Sequence, residues 1–462
     1  MHNTMTRTKE DFVPLTPGAV GMYVCGVTVY DLSHVGHARS AIAFDVMRRY
    51  LRFKGYQVTF VRNYTDVDDK IIRRANEEGV QAREISERYI AAEREDMASL
   101  GLLPPDVEPK ATEHIPEMVA LIQRLIDGGV AYVVDGDVYF EIRRFPRYGR
   151  LSGKHLDELL AGARVDVDER KRDPRDFALW KAAKPGEPRW DRPWGPGRPG
   201  WHIECSAMAM RYLGDSFDVH GGGEDLIFPH HECEIAQAEA ATDRPFSRYW
   251  LHNAFVNMGK EKMSKSLGNT LTIREIVKRH DPDALRLFFL GTHYRHALEW
   301  SEERVQESAR ALERFTRLLD DPQAATSAPA APPSERLAAF RAQFEAAMDD
   351  DFNTPQALAV LFELARALND DRERAHADPA ARGALAAGVA ELRTLGGALG
   401  LFERRRKASG PPPDVEQLVA ERVAARARRD FRRSDELRAE IGARGWAVED
   451  TPAGPRLTRK DS

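Results

Sequence analysis

The spacing of apolar residues changes period along the first part of the chain, and each change predicts an element. The stretch GMYVCGVTVYD begins as a short apolar strand that ends in a glycine turn at Gly26. Between His34 and Lys54, Ile42, Val46, Met47, Tyr50 and Leu51 recur at helical offsets and predict one amphipathic helix. Gln57–Asn63 (QVTFVRN) returns to β-rich residues. Strand, helix and strand of these lengths imply a parallel βαβ unit. Ligands of such sheets sit beyond the carboxyl ends of the strands, where Cys25–Tyr30 and Asn63–Asp69 fall.

The pattern breaks between Pro104 and Trp194. A helix is predicted over Ile115–Asp127, a hairpin around Asp135-Gly136, and then a Pro/Trp/Arg-rich stretch follows, which together read as an insertion. The α/β pattern resumes near Trp201 and runs to Leu290, with further helix to Asp320. Ala324–Pro333 (AATSAPAAPP) has the composition of a linker, Ser334–Leu401 is Ala/Leu/Arg-rich and helical, and Ser409–Pro413 (SGPPP) is a second break before a short terminal module. No internal repeat is present.

Composition narrows the class. The 462 residues suffice for several domains, and 42% hydrophobic with 31% charged residues describes a chain that buries real cores. No apolar run is long enough to span a membrane, and MHNTMTRTKEDFVPL lacks the apolar region of a secretory signal, so a cytoplasmic protein is expected. Three cysteines, Cys25, Cys205 and Cys233, exclude a disulfide scaffold. The net charge of −5 is unevenly spread: from Glu403 onward fifteen Lys/Arg face eleven Asp/Glu. A positive tail on an acidic body favours a polyanionic partner; a solvated helical surface is the plainer reading.

Two groups of residues carry candidate chemistry. His230 and Glu234 are four apart in HHECEIAQAEA, so a helix sets both on one face, as half of a metal site requires. With Cys205 and Cys25 they would make a tetrahedral zinc set, although two lone cysteines beside a surface helix would look the same. Cys233 is a rival ligand, and His231 points off that face toward a supporting or phosphate-contacting role. No GxGxxG fingerprint occurs. Instead His34-Val35-Gly36-His37 opens the first helix, where backbone N–H groups, a close-approach glycine and two imidazoles can hold phosphate. Lys262-Met263-Ser264-Lys265-Ser266 lies between Gly259 and Gly268, two ammonium groups on a loop that can neutralise phosphate charge.

His34–His37 resembles the "HIGH" signature and Lys262–Ser266 matches the "KMSKS" signature of class I aminoacyl-tRNA synthetases. MYVCGVTVYD, FVRNYTDVDDKI, DFALWK, WGPGRPGWHIECSAM, FPHHECEIAQ, MDDDFNTPQALAVLFEL and ARRDFRRSDELRAEI are similar to the cysteinyl-tRNA synthetases over nearly the whole chain. The resemblance implies an α/β fold. A Rossmann-like parallel-sheet catalytic domain (1–103 and 196–270) is interrupted by a connective insertion (104–195). A helical stem-contact connector (271–322), an α-helical bundle (334–405) and a small anticodon-binding module (412–462) follow.

The resemblance also implies residue roles. Cys25, Cys205, His230 and Glu234 match the zinc ligands, one zinc per chain; Gly26, Thr28, Thr65 and Trp201 match the lining of the cysteine pocket. His34, Gly36, His37, Gly222, Asp225, Lys262 and Lys265 match ATP contacts, with His34, His37, Lys262 and Lys265 stabilising charge in the reaction and magnesium on the same phosphate oxygens. Relatives commonly carry Asn at the position of Cys233 and at the last signature residue, here His37, and Pro in place of Val27. Cys233 is then a bystander. The implied reaction joins L-cysteine to ATP as cysteinyl-adenylate, then to the 3′ end of tRNA(Cys), in a monomer with zinc selecting the thiol. Asp66, Asp68 and Asp69 suit either a helix cap or an ammonium or ribose contact. Arg426, Arg428, Arg429, Arg432 and Arg433 suit phosphates, and Trp446 suits a stacked base or plain core. Two other readings are an aminosugar-directed cysteine ligase and a silent tRNA-binding paralogue.

Overall fold

The computed structural model describes residues 1–154, 169–258, 261–262, 270–324, 334–375, 378–403, 413–451 and 454–459. They divide into two compact units, Met1–Glu403 and Arg404–Ser462.

The first unit is built on four parallel strands: β1 (Ala19–Val24), β2 (Gln57–Arg62), β7 (Phe217–Gly223) and β8 (Ser247–Asn253). Their order across the sheet is β8-β7-β1-β2, all neighbours parallel. Chain order reverses between β1 and β7, and a crevice opens at the carboxyl ends of strands where this happens. Helix α1 (Val35–Phe53) crosses between β1 and β2. Buried side chains of β1 alternate with the pleat: Val20, Met22 and Val24 face a core shared with α1, Tyr23 faces the opposite one. Helices α2 (Asp69–Glu78) and α3 (Ala82–Ser99) follow β2.

The insertion carries α4 (Ile115–Asp127) and a separate antiparallel sheet, β3 (Ala131–Val134), β4 (Asp137–Phe140), β5 (Phe177–Ala182) and β6 (Gly197–Pro199), paired in sequence order. It packs on α5 (Trp201–Leu213) and α6 (Glu232–Thr242), the helices that flank β7. A small mixed sheet joins β9 (Val256–Met258), β10 (Glu261–Lys262) and β11 (Leu298–Trp300) around α7 (Ile273–Arg279) and α8 (Pro282–Leu290). Helices α9 (Glu302–Leu319), α10 (Glu335–Asp349), α11 (Thr354–Ala375) and α12 (Pro379–Ala398) complete the unit. One hydrophobic core runs from Val20 and Met22 through α1 and α8 to Leu361, Leu392 and Leu399 of the bundle.

A buried ionic cluster ties these layers. Asp45 on α1 accepts from Arg48 (3.0 Å), Arg49 (2.8 Å), both terminal nitrogens of Arg286 on α8 (2.9 Å each) and the Leu103 amide (3.2 Å). Arg286 also donates to the Leu399 carbonyl (3.0 Å), and Arg49 to Glu403 (2.7 Å). Burial opposes ionisation of Asp45, but Arg286, Arg49 and Arg48 outweigh it and hold the carboxyl below its usual range.

The second unit is α13 (Pro413–Ala427), α14 (Phe431–Ala443) and the hairpin β12 (Trp446–Thr451) and β13 (Gly454–Arg459) around Val415, Ile441 and Val448. Trp446 is half-buried against this core, the plainer of its two readings. Of the arginines suited to phosphates, Arg426 pairs with Asp450, Arg432 with Glu436, and Arg433 with Glu436 and Glu440. These pairings leave the tail with less unbalanced charge than its composition suggests, although among the described residues Arg428 and Arg429 form no ion pair.

Candidate active site and metal centre

The crevice at the switch point is where the candidate residues meet. The amide of Cys25, just past β1, donates to the carbonyl of Gly221 on β7 (3.1 Å). The amide of Gly26 donates to Asn63 Oδ1 (2.8 Å), and a Cβ on Gly26 would lie 1.6 Å from the Asn63 carbonyl oxygen, so only glycine admits this contact. A Cβ on Gly221 would lie 2.3 Å from the Phe44 ring of α1. The sheet ends are therefore packed backbone to backbone.

Cys25, Cys205, His230 and Glu234 converge there, each offering one donor atom, all within 4.8 Å of one another. Cys205 comes from the first turns of α5. His230 lies in the irregular turn Ile227–His231, and Glu234 in the first turn of α6. The i,i+4 expectation holds across that junction, with His230 Nε2 3.0 Å from Glu234 Oε1. The Cys25 thiol donates to the same oxygen (3.3 Å). Burial opposes a charge on His230, yet the Glu234 carboxylate and the Cys205 sulfur push the imidazole up to about 10. Burial alone would raise Cys205; the adjoining Cys25 thiol and the neighbouring His230 bring it down to about 6. Three anion-prone donors thus crowd one buried imidazole, an arrangement that a soft divalent cation satisfies better than a proton. The donor set fits zinc. Cys25, His220, His231 and Glu234 also lie within the same limit of one another, so Cys25 and Glu234 are common to two possible groupings. Cys233 belongs to neither: its buried sulfur sits 3.2 Å from the Tyr148 hydroxyl.

A shell of imidazoles surrounds these donors, and most of it went unread in the sequence. His220 on β7 donates from Nε2 to Glu234 Oε2 (2.8 Å) and stacks on Trp250. His202 Nδ1 lies 2.9 Å from His230 Nδ1; burial and then the neighbouring His230 push His202 down to about 3, so it is the neutral partner in that contact. His231 is fully buried rather than placed for phosphate; it meets His252 (2.8 Å), which meets the Thr4 hydroxyl (2.8 Å). The available clue to His220 is a histidine two residues after Asp218 in the glycine-ended run FDVHGGG.

His34 is the N-cap of α1. Its Nδ1 accepts from the Gly36 amide (3.1 Å), and His37 Nδ1 accepts from the His34 amide (3.2 Å). The two rings stack with centroids 3.8 Å apart. With both Nδ1 atoms accepting, the ring proton of each neutral imidazole resides on Nε2, which is the donor atom. Segment 271–273 is clipped to this cap: Val35 donates to Leu271 and Ile273 to Ser33. Both ends of the lysine segment are thereby anchored, at β10, which contains Lys262, and at the cap; Lys265 lies outside the described residues. Gly222 is buried at the end of β7, where a Cβ would lie 2.8 Å from Leu226 and 3.0 Å from His231, and Asp225 is exposed just beyond.

Thr28 and Thr65 are bridged in parallel across the crevice. The Thr65 hydroxyl donates to Glu204 Oε2 (2.8 Å). Trp201 is 39% exposed and stacks on His230 at 4.1 Å. Of the three aspartates, Asp68 caps α2, Asp66 accepts from the Thr112 amide and hydroxyl, and Asp69 pairs with Lys181 and Arg198.

Comparison with known proteins matches this arrangement to a class. Residues 11–310 match the family model for the tRNA synthetases class I (C) catalytic domain, residues 343–403 the DALR domain, and residues 401–454 the cysteinyl-tRNA ligase anticodon binding domain. Mycobacterium tuberculosis methionyl-tRNA synthetase in complex with methionyl-adenylate superposes with a TM-score of 0.61 at 16% identity, over 82% of this chain and 90% of that one. A leucyl-tRNA synthetase of Agrobacterium radiobacter gives 0.60 at 14% identity, over 84% and 85%. The fold is that of the class I aminoacyl-tRNA synthetases.

Relatives narrow it further. The cysteine–tRNA ligase of Trichlorobacter lovleyi is 53% identical over 98% of both chains, and that of Alkalilimnicola ehrlichii 54% over 100% of this chain and 99% of its own. The chain belongs to the cysteine–tRNA ligases, and is an enzyme of the ligase class. Among the described residues no helix is long and apolar enough to cross a membrane.

Proposed function

We propose that the crevice activates L-cysteine with ATP, releasing pyrophosphate, and passes the cysteinyl group to tRNA(Cys), with the following division of labour. Cys25, Cys205, His230 and Glu234 hold one zinc, and His220 and His202 orient Glu234 and His230. Zinc, when bound, supplies a soft Lewis acid that favours a thiolate over the hydroxyl of serine. Gly26, Thr28 and Thr65 line the cysteine pocket and Trp201 closes its exposed side. The observation that carries this reading is the convergence of two thiols, an imidazole and a carboxylate within 4.8 Å at the switch point of a parallel sheet.

His34 and His37 donate from Nε2 to phosphate oxygens, where their stacked, capped geometry costs little to organise. Gly36 and Gly222 let ATP approach the backbone, and Asp225 accepts from the nucleoside. Lys262 and Lys265 neutralise the departing pyrophosphate together with ATP-bound magnesium. The carboxylate of cysteine attacks the α-phosphorus; the terminal ribose hydroxyl of tRNA then displaces AMP from the acyl carbon. Residues 334–405 hold the body of the tRNA and 412–462 its anticodon. The enzyme acts as a cytoplasmic monomer.

The test is pyrophosphate exchange and acid-precipitable label from radioactive cysteine, with and without tRNA. Cysteine-dependent exchange and labelled tRNA are expected. Exchange without labelled tRNA would point to an aminosugar ligase, and no exchange to a tRNA-binding paralogue. Serine activation comparable to cysteine by the zinc-loaded enzyme would sink the selection role.

A further inference from the structure

Arg39 lies on α1 two residues after His37 and is 3% exposed. Among the described residues it pairs with no carboxylate. Its guanidinium instead forks onto three backbone carbonyls. One terminal nitrogen donates to Phe289 (2.6 Å), the other to His293 (2.8 Å) and His296 (3.1 Å). Its Nε is buried with no hydrogen bond. A buried cation without a counter-charge is costly, and neutral carbonyls offset only part of that cost. What the side chain achieves at that cost is to fix the corner between α8 and β11 against the helix that His34 caps.

The corner leads on to the lysine segment. The Tyr294 carbonyl accepts from the Ala254 amide (2.9 Å), and Leu298 donates to the Phe255 carbonyl (2.9 Å). β11 then runs parallel to β9, with Val256 opposite Leu298 and Met258 opposite Trp300. β9 pairs with β10, Asn257 opposite Lys262. On another side of the corner the buried carboxylate of Asp351 accepts from the Tyr294 hydroxyl (2.8 Å) and from Arg295 Nε (2.7 Å). One buried side chain, one backbone corner and two strand pairings thus connect α1 to the strand that contains Lys262.

We propose that Arg39 is a positioning residue for adenylate formation: by gripping the corner between α8 and β11 it sets where Lys262 stands relative to His34 and His37. The inference rests on the assignment of Lys262 and the two histidines to the phosphates made above. It adds the strut that sets the spacing between two segments far apart in the chain. The fork matters as well as the charge. A planar guanidinium reaches three carbonyls in fixed directions, whereas an ammonium on a flexible stem is a point charge.

The experiment is a double-mutant cycle on pyrophosphate exchange in the zinc-loaded full-length enzyme. Rates are expressed per active site, counted from the burst of adenylate. Arg39→Lys keeps the charge and loses the fork. It should lower kcat roughly 10–100-fold, the order expected for a misplacement of about 1 Å, while KM for cysteine moves less than about twofold. In a Lys262→Ala background the same substitution should lower kcat less than about threefold, because the group it positions is gone. A purely structural role predicts equal losses in both backgrounds. Asp351→Asn loosens the same corner from another side and should show the same non-additive loss, so the inference can be judged even if Arg39→Lys fails to fold. Additive losses, an unchanged kcat, or a loss carried by KM for cysteine would overturn the inference while leaving cysteine activation intact. An unchanged kcat in Lys262→Ala alone would overturn the assignment of that lysine, and this inference with it.

Discussion

Asp45→Asn isolates the ionic cluster between α1 and α8. The substitution is nearly isosteric, so it removes charge without opening a cavity. In the native cluster one carboxylate faces Arg48, Arg49 and Arg286, whose side chains are 1%, 5% and 1% exposed. It accepts four of their N–H groups and the Leu103 amide. The asparagine oxygen can serve only part of that set, and its amide nitrogen meets guanidinium donors. Arg49 retains Glu403, half exposed, as an anion; among the described residues Arg286 retains only the carbonyls of Leu399 and Gly101. Removing one member of a buried pair costs about 3–5 kcal/mol, and that is the expected loss at pH 7 for the unfolding step of the first unit. Because the folded-state pKa of Asp45 is depressed, its contribution is present above the unfolded carboxylate value of about 4. It is lost as pH falls through the lower folded value. The gap between native and variant should therefore be flat from about pH 8 to about pH 5 and close only in acid. Urea unfolding followed by tryptophan fluorescence at several pH values measures it. A neutral-pH difference below about 1 kcal/mol, or a gap that closes on the alkaline side, would refute the account.

Three further outcomes are expected. Lys265→Ala should lower kcat of pyrophosphate exchange by about 10²–10³-fold with KM for cysteine little changed; an unchanged kcat would remove that lysine from the charge-neutralising role. Gly221→Ala forces a methyl group to within 2.3 Å of the buried Phe44 ring and should cost about 1–3 kcal/mol in the same unfolding assay, an argument that fails if the midpoint does not move. Glu234→Gln should leave purified enzyme with well under one zinc per chain by atomic emission, and an undiminished stoichiometry would exclude Glu234 as a ligand.

Much of this is legible in the amino-acid sequence. The helix beginning at His34 and the strand at Gln57 follow from local periodicity, and the βαβ unit from their succession. The i,i+4 pair His230 and Glu234 is readable because the spacing survives the irregular turn between them. Cys25 and Cys205 are a different matter: they lie far apart along the chain, and only the pairing of β1 with β7 brings their elements together. Spacing says nothing of this; similarity to a family does. His220, His202, His252 and Glu204 escape sequence reasoning for a related reason. A polar side chain in a buried run looks like noise until its partner, supplied by another element, is known. The basic tail misleads in the opposite sense, since part of its charge is balanced by Asp450, Glu436 and Glu440.

The hydrophobic core that passes from the parallel sheet into the helical bundle makes the chain divisible in an unusual place. Met348, Phe352 and Leu361 belong to the same cluster as Ile42 and Tyr50. Tyr50 donates to Asp349, and Thr354 to the Leu290 carbonyl. Expressed alone, neither the portion before residue 325 nor the portion after 333 could shield its half of that surface. Expressed together they would have a ready-made reason to reassemble. The enzyme is thus a natural candidate for fragment complementation, with activity restored by mixing two inactive polypeptides.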